Sequence, residues 1–154
     1  MTAPLALLDS NVVIASVAAA HDDHEASIAL FERFPTRSFA VAAHSFAESY
    51  VTLTRRGPRA PFAWDAADAW TALQAVSHAT KLVGLSPAAG LDGVRLYAGQ
   101  GHVGARLYDW LLGQSATLAR ISSIVTWNVG HMTALFPTLN VRTPDAFQVS
   151  SAVE

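Results

Sequence analysis

The stretch LALLDSNVVI at residues 5–14 decides the fold of this chain. An apolar run of strand length ends at Asp9, two small polar residues follow, and a second apolar run begins at Val12. In open α/β sheets, ligands bind at the carboxyl ends of the strands, just before the next helix begins. We therefore predict a buried strand, a helix after it, and a functional carboxylate at Asp9 between them.

Four more short apolar runs repeat this alternation of strand and helix. The five predicted strands are residues 5–8, 39–42, 82–85, 121–126 and 139–142. Such alternation is typical of a parallel sheet, and continuously apolar strands indicate helices on both faces. We predict an α/β fold, a three-layer sandwich around a mainly parallel five-stranded sheet. Residues 1–147 are expected to form a single domain and 148–154 a C-terminal tail, with disorder after Pro144.

The helical patterns place six helices and a short seventh that opens within residues 126–131. The six are predicted at about residues 11–20, 22–34, 45–56, 61–77, 87–100 and 103–119. Asp22 and Glu25 match a capping box at the second helix. The sequence HDDH at 21–24 could bind a metal, but acidic residues at a helix start are also expected as caps. In helix 103–119 the predicted core stripe is Val103, Leu107, Leu111 and Leu118.

Composition limits the classes of function. Of 154 residues, 51% are hydrophobic and only 14% charged, whereas ordinary soluble domains carry roughly 25% charge. The formal net charge is -2, so binding to nucleic acid would need a local basic patch or metal ions. The absence of cysteine excludes disulfides and thiolate metal sites. No apolar run approaches the ~18 residues of a membrane span, and no signal peptide is expected, so we predict a cytoplasmic protein.

Four polar residues are the candidates for chemistry: Asp9, Glu48, Asp109 and Asn128. Asp9 and Asn128 follow strands and could instead be helix caps, and Glu48 lies at capping-box spacing from Ser45. Asp109 falls within a predicted helix, where aspartate has poor propensity and no capping role; its alternative is a solvent-exposed helix face. If the strands before Asp9 and Asn128 are neighbours, these two side chains meet at one edge of the sheet.

Four motifs occur together in one order along the chain. They are LLDSN at 7–11, SFAESY at 45–50 with TR at 54–55, GARLYDWLL at 104–112 with Ala116, and IVTWN at 124–128 with His131. In these motifs the chain resembles the PIN-domain nucleases, and among them the VapC-type ribonuclease toxins of bacterial toxin–antitoxin systems. The resemblance spans about residues 5–147. No single motif is specific, but the four in order are.

The resemblance implies a ribonuclease in which Asp9, Glu48 and Asp109 bind a divalent metal, Mg²⁺ or Mn²⁺. Asn128 stands where many members have a fourth acid, and an amide removes one charge, which leaves open whether one or two metals bind. Elementary chemistry agrees with a metal site. Converging carboxylates raise each other's pKa values unless a cation neutralises them, and oxygen ligands suit Mg²⁺ and Mn²⁺.

Candidates for contact with the RNA substrate flank these acids. They are Asn11, Arg55, Arg106, Thr126 and His131. Arg55 and Arg106 share helix faces with the neighbouring acids and could contact phosphate. For Arg55 the alternative is that it complements the dipole at a helix C-terminus.

The resemblance also implies a cognate antitoxin protein that blocks the site, and a homodimer. Trp64 and Trp70 lie six residues apart, roughly 120° around a helix, so one can be buried while the other faces a partner. Two alternatives remain open. One is a degenerate PIN domain that binds RNA or protein without cleavage, as Asn128 would allow. The other is an unrelated α/β binding module whose acids are all helix caps.

Overall fold

A computed structural model describes residues 2–152, and in this range five strands alternate with eight helices. The strands are β1 (Ala6–Leu8), β2 (Phe39–Ala42), β3 (Lys81–Val83), β4 (Ser123–Val125) and β5 (Asn140–Arg142). The helices are α1 (Ser10–Val17), α2 (His24–Arg33), α3 (Ala43–Thr54), α4 (Ala66–Ala79), α5 (Pro87–Gly99), α6 (Leu107–Leu118), α7 (Val129–Leu135) and α8 (Pro144–Ser151).

The five strands form one sheet in the order β3-β2-β1-β4-β5, and every neighbouring pair is parallel. β1 lies at the centre, where Leu8 is in register with Val41 of β2 and Val125 of β4. The residues that follow these three strands therefore emerge side by side at one edge of the sheet. This arrangement confirms the predicted parallel five-stranded α/β fold and the predicted neighbourhood of the first and fourth strands.

Two hydrophobic cores cover the two faces of the sheet and make the fold three-layered. Ala6 and Leu8 of β1 pack on one face with residues from α1, α2, α3, α4 and α8. Leu7 faces the other way and packs with residues of α5, α6 and α7. Successive strand residues point to opposite faces, so a strand buried on both faces must be apolar throughout. That requirement explains the continuous apolar runs of β1 and β2, in which every residue is buried.

The edge strands depart from the prediction of uniformly buried strands. In β3, Leu82 is 66% exposed, and in β5 Asn140 is exposed. Each of these edge strands has a neighbouring strand on one side only. Their residues are less buried than those of the central strand β1.

The capping box predicted for the second helix is wrong, and the capping box that was the alternative role for Glu48 in the third helix is not formed. α2 begins at His24 after Asp23, whose side chain makes no capping hydrogen bond within the described residues. The backbone N–H of Asp23 instead donates to Nδ1 of His21 at 3.0 Å. α3 begins at Ala43, so Ser45 lies inside its first turn rather than at its N-cap. Glu48 therefore has no capping partner in Ser45.

The helix predicted at 103–119 begins four residues later, at Leu107. Gly104 has a φ of +80°, a left-handed conformation that glycine adopts freely but a helix does not continue through. The predicted core stripe is wrong at both ends, since Val103 is 86% and Leu118 60% exposed. The buried residues of α6 are Trp110, Leu112, Gly113, Ser115 and Ala116.

The segment after Pro144 was expected to be disordered, and up to residue 152 that prediction is wrong. Residues Pro144–Ser151 form α8, in which Phe147 and Gln148 are buried. The side-chain amide of Gln148 donates to the Ala26 carbonyl of α2 at 2.9 Å. A boundary at residue 147 thus runs through a packed helix, and residues 153–154 of the predicted tail lie outside the described range.

The two tryptophans of the fourth predicted helix have different surroundings, as expected from their spacing. The helix α4 begins at Ala66 rather than at Pro61, so Trp64 precedes it. Trp64 is partly buried and packs against the core that contains Ala6 and Leu8. Trp70 is 58% exposed on α4.

Candidate active site

Asp9 lies at the end of β1 and is both a helix cap and a buried acid. Its side chain caps α1 by accepting the Ser10 N–H at 2.7 Å. The residue is only 6% exposed, and burial raises the pKa of its carboxyl, against the opposing effect of its hydrogen bonds. The capping alternative for Asp9 therefore holds, but it accounts for one carboxylate oxygen only.

The second carboxylate oxygen of Asp9 accepts a hydrogen bond from Thr126, the residue that follows β4. The hydroxyl of Thr126, a residue that is fully buried, donates to Asp9 Oδ2 at 2.8 Å. The Thr126 hydroxyl oxygen in turn accepts the side-chain amide of Asn11 at 3.1 Å and the backbone N–H of Asn128 at 3.0 Å. Asn11 Oδ1 accepts the Trp127 N–H at 3.1 Å. This network fixes the ends of β1 and β4 to each other and orients Asp9.

Glu48 and Asp109 approach Asp9 from the two helical layers. Glu48 lies on α3, which follows β2, and Asp109 lies in the first turn of α6. Because α6 starts late, Asp109 is not mid-helix as predicted, and the first turn is a position that the helix dipole makes favourable for an acid. Three elements that are distant in sequence thus each deliver one carboxyl group to the same edge of the sheet.

The three carboxyl groups interact electrostatically. Burial, followed by repulsion from Asp9 and Asp109, raises the pKa of Glu48 to about 7. Burial and then repulsion from Asp9 raise the pKa of Asp109, while nearby His131 and Arg106 oppose that rise. The hydrogen bonds to Asp9 favour its ionised form, so the repulsion falls mainly on the other two carboxyls. The charge of Asp9 therefore acts on both of the other carboxyl groups.

The acids do not form a closed ligand shell. Among residues 2–152, no group of three or more His, Asp or Glu side chains is arranged to hold a metal ion. Ionised carboxylates repel each other, which favours a spread arrangement over direct contact. Within the described residues, the structure therefore brings Asp9, Glu48 and Asp109 within electrostatic range but leaves the site open.

The other candidate residues surround the acids with different roles. Asn128 is exposed just after β4 as the N-cap residue of α7, and its side chain makes no capping hydrogen bond in the described range. Its predicted alternative as a side-chain helix cap is thus not realised. Arg106 and His131 are exposed and close enough to Asp109 for their charges to oppose the rise of its pKa. Arg55 is exposed at the C-cap of α3.

Two neighbours of these candidates play structural parts. Arg56 donates to the carbonyl oxygens of Ala63 and Trp64 at 2.7 and 3.2 Å and pairs with Asp65 at 3.2 Å. It therefore fixes the connection between α3 and α4. In the sequence HDDH, His24 Nδ1 bonds to the Ala15 carbonyl at 2.8 Å, which agrees with the structural alternative for that segment.

His44 is a site residue that the sequence analysis missed. It lies one helical turn before Glu48, with 3.8 Å between Nε2 of His44 and Oε1 of Glu48. Burial lowers the pKa of the His44 ring, and the charge of Asp9 opposes that shift. The i, i+4 spacing of His44 and Glu48 was a signal that could have identified it.

A mostly apolar cavity of about 440 Å³ has Asn11 of the hydrogen-bond network in its lining. Its lining residues are Asn11, Ile14, Ala20, His21, Asp22, Thr52, Pro61 and Phe62. The chemistry and this cavity are therefore adjacent features that share Asn11. Among residues 2–152, no helix combines the length and apolar character needed to cross a membrane.

Comparison with known proteins gives a structural likeness without a sequence match. No protein-family model and no curated protein matches the chain. Mycobacterium tuberculosis VapC20, a toxin that cleaves the sarcin-ricin loop, superimposes with a TM-score of 0.65 at 13% identity, over 83% of this chain and 93% of that one. A toxin-antitoxin complex from Klebsiella pneumoniae gives 0.61 at 19% identity, over 90% and 97% of the two chains.

A third solved structure extends the likeness. VapBC2 from Rickettsia felis, bound to a DNA fragment from its promoter, gives a TM-score of 0.60 at 14% identity, over 89% of this chain and 96% of that one. At such identities the likeness concerns the fold, and it covers nearly the whole of each chain. The chain therefore has the PIN-like fold of the VapC-type toxins, as the resemblance of its four motifs implied.

Proposed function

We propose that this chain is a metal-dependent endoribonuclease that acts as the toxin of a type II toxin–antitoxin pair. The observation that carries the proposal is the set of three carboxyl groups at the end of β1, on α3 and on α6, in which burial and then the charge of Asp9 raise the pKa values of Glu48 and Asp109. Buried carboxyl groups that repel one another favour a bound cation. The fold shared with VapC-type toxins supports the assignment to RNA cleavage and to a toxin.

The described side chains are not arranged as a closed ligand shell, but their oxygen atoms are of the type that a hard divalent cation binds. Asp9, Glu48 and Asp109 would hold Mg²⁺ or Mn²⁺ through carboxylate oxygens, and Asn128 would add a neutral amide oxygen. When bound, the cation supplies Lewis-acid stabilisation of charge on the phosphodiester and lowers the pKa of an attacking water. With Asn128 in place of a fourth acid, the site carries one negative charge fewer, which favours one cation over two.

Thr126 and Asn11 would act as positioning residues. Thr126 is fully buried, so its hydroxyl acts through its hydrogen bond to Asp9 and not through contact with RNA. Asn11 bonds to both Thr126 and the Trp127 backbone, which holds the ends of β1 and β4 at a fixed separation. Ligand groups oriented in this way tune the affinity of a metal site.

Exposed basic residues would hold the RNA backbone. The charges of Arg106 and His131 act on Asp109, and Arg55 is exposed at the end of the helix that carries Glu48. Contacts with phosphate position a nucleic acid without reading its sequence. With a net charge of -2, the chain depends on such local cations for RNA binding.

A protein antitoxin and a second copy of the chain are the proposed partners, and the cytoplasm is the proposed location. Two of the similar solved structures are complexes of toxin with antitoxin, which supports the antitoxin. Several large apolar side chains are exposed, among them Val51, Trp70 and Leu91. Exposed apolar surface in a weakly charged chain favours partner interfaces.

A non-cleaving PIN domain is the second candidate, because two observations favour it. Asn128 replaces an acid, and within residues 2–152 no three acidic or histidine side chains are arranged to hold a metal. Such a protein would bind RNA through the same basic residues without hydrolysing it.

Cleavage of a broad RNA panel with Mn²⁺ or Mg²⁺ tests the two candidates. We expect cleavage by the wild type, loss of it in Asp9→Asn and Asp109→Asn, and normal activity in Asp68→Asn, which changes an exposed acid in the first turn of α4. RNA binding with background-level cleavage in all four proteins would instead favour the non-cleaving domain.

A further inference from the structure

The cavity that has Asn11 in its lining is a feature that the proposed function does not yet use. Its volume is about 440 Å³ and its lining is mostly apolar, which is typical of pockets that bind small molecules or parts of larger ones. Two aromatic rings belong to this lining. The rings of His21 and Phe62 are stacked, with 6.2 Å between their centroids and 18° between their planes. The cavity therefore offers flat faces of the kind on which planar groups stack.

The segment that carries Phe62 is held in place by the rest of the fold. Ala63 has a φ of +54°, a left-handed conformation that a non-glycine residue keeps only where surrounding contacts impose it. Arg56 supplies such contacts through its hydrogen bonds to the carbonyls of Ala63 and Trp64. The Trp64 N–H also donates to the Leu53 carbonyl at 2.8 Å. The aromatic face is thus preformed, and a preformed surface costs less free energy to occupy.

The cavity adjoins the candidate active site through one side chain. The amide nitrogen of Asn11 donates to the Thr126 hydroxyl at 3.1 Å and lies 3.5 Å from Oδ2 of Asp9. A group that contacts Asn11 from the cavity is therefore separated from the Asp9 carboxylate by that side chain alone. In RNA, one sugar separates a base from its phosphate, so neighbouring parts of one strand can occupy the cavity and the acidic site together.

Charge distinguishes the cavity from the loop beside it. The described residues that line the cavity include the acidic Asp22 but no arginine or lysine, so the cavity disfavours a phosphate. The loop of residues 55–60 leads directly into Pro61 of the lining and carries two exposed cations, Arg55 and Arg59. Cations outside an aromatic cavity match the two parts of a nucleotide, an anionic phosphate and a flat, uncharged base.

We propose that this cavity binds one unpaired base of the RNA substrate, next to the phosphodiester that is cut, against the rings of His21 and Phe62. This inference deepens the proposed function and rests on it. Sequence-specific recognition of RNA mostly uses unpaired bases that stack on aromatic side chains. An apolar side chain of a protein partner would also suit the cavity, but it would not use the adjacent arginines. The cavity therefore directs cleavage to single-stranded RNA, because a paired base cannot enter it.

Fluorescence anisotropy of labelled single-stranded RNA, with a chelator present, tests the stacking. The oligonucleotide that binds most tightly in a mixed panel is remade with a single abasic position moved along its length. For the wild type, we expect one abasic position to weaken binding about tenfold, the usual effect of losing one base–aromatic stack. In Phe62→Leu, which keeps an apolar side chain without a ring, intact RNA should bind about tenfold more weakly, and that abasic position should have no further effect.

Trp70→Leu is the matched control, because it removes an exposed aromatic ring of α4 outside the cavity lining, and it should bind RNA like the wild type. An equal abasic loss in Phe62→Leu and the wild type would overturn the inference, as would a wild type insensitive to every abasic position. Either result leaves the proposed function standing and assigns the cavity to an apolar side chain of a protein partner. A wild type that binds no RNA, with the chelator or with Mn²⁺ in its place, overturns both.

Photocrosslinking of the wild-type chain needs no variant to fold. RNA that carries 5-iodouridine at the sensitive position is irradiated with the protein, and the crosslinked peptides are identified by mass spectrometry. We expect crosslinks to the peptides that contain His21 or Phe62. Crosslinks found only elsewhere in the chain would overturn the inference.

Discussion

Replacing Glu48 with glutamine should stabilise the metal-free protein at about pH 8 and change little near pH 5. The folded state holds the proton of Glu48 up to a pKa of about 7, against an ordinary value of 4.5. Between these two pH values the folded state binds more protons than the unfolded state. The free energy of unfolding therefore falls as the pH rises from 4.5 to about 7, and glutamine, which has no proton to lose, escapes that loss.

The size of this change in the free energy of unfolding follows from the two pKa values of Glu48 and from the exposure of its side chain. One pKa unit corresponds to about 1.4 kcal/mol, so full burial would give about 3 kcal/mol. The Glu48 side chain is 40% exposed, and solvent screening reduces this figure to about 1 kcal/mol. For a domain of this size, that is a rise in melting temperature of about 3 °C.

Thermal unfolding followed by circular dichroism, with a chelator present, measures the effect at both pH values. Glu32→Gln is the matched control, because it changes an exposed glutamate on α2, and it should not alter the melting temperature in a pH-dependent way. Saturating Mn²⁺ should reverse the order, since a cation that binds only the folded wild type raises its stability. A lower melting temperature for Glu48→Gln at about pH 8, or equal shifts at both pH values, would refute the account of charge repulsion.

Three further changes test the fold, the positioning network and the RNA surface. Gly113→Ala would place a Cβ 2.0 Å from Cε2 of Phe136 and should lower the free energy of unfolding by about 3 kcal/mol. Gly130→Ala is the control, because a Cβ there meets nothing within 4 Å, and chemical denaturation compares the two variants. Thr126→Val removes the hydrogen bond to the carboxylate after β1 and should weaken Mn²⁺ binding about tenfold or more by calorimetry; an unchanged affinity would contradict its positioning role. Arg55→Gln should weaken RNA binding at low salt and reduce the slope of log affinity against log salt by roughly one, and an unchanged slope would exclude a phosphate contact there.

The local pattern of apolar residues was sufficient to predict the strands of the sheet but not the ends of several helices. The strand prediction at 39–42 matches β2 in both bounds, because a strand buried on both faces must be apolar throughout. Helix starts depend on caps and on backbone conformation instead. The apolar periodicity at Val103 continues across Gly104, but the left-handed φ of that glycine delays α6 to Leu107.

The candidate site was also predicted only in part from the sequence. The positions of Asp9 and Asn128 at strand ends, and the presence of acids at Glu48 and Asp109, could be read from the sequence. The electrostatic interaction of the three acids could not be predicted from the sequence, because it depends on which strands and helices become neighbours. The burial of His44 Nε2 could not be predicted either, since the i, i+4 spacing of His44 and Glu48 also occurs on solvent-exposed helix faces.

The sequence by itself determined that a buried strand ends in Asp9 and that a helix follows, because apolar runs and small polar residues act locally. Only the tertiary structure decided what Asp9 meets. Its hydrogen bond to Thr126 joins residues 117 positions apart, and it exists because β1 pairs with β4 at the centre of the sheet. That pairing converts a helix-capping aspartate into a buried, oriented carboxylate at the centre of the candidate site.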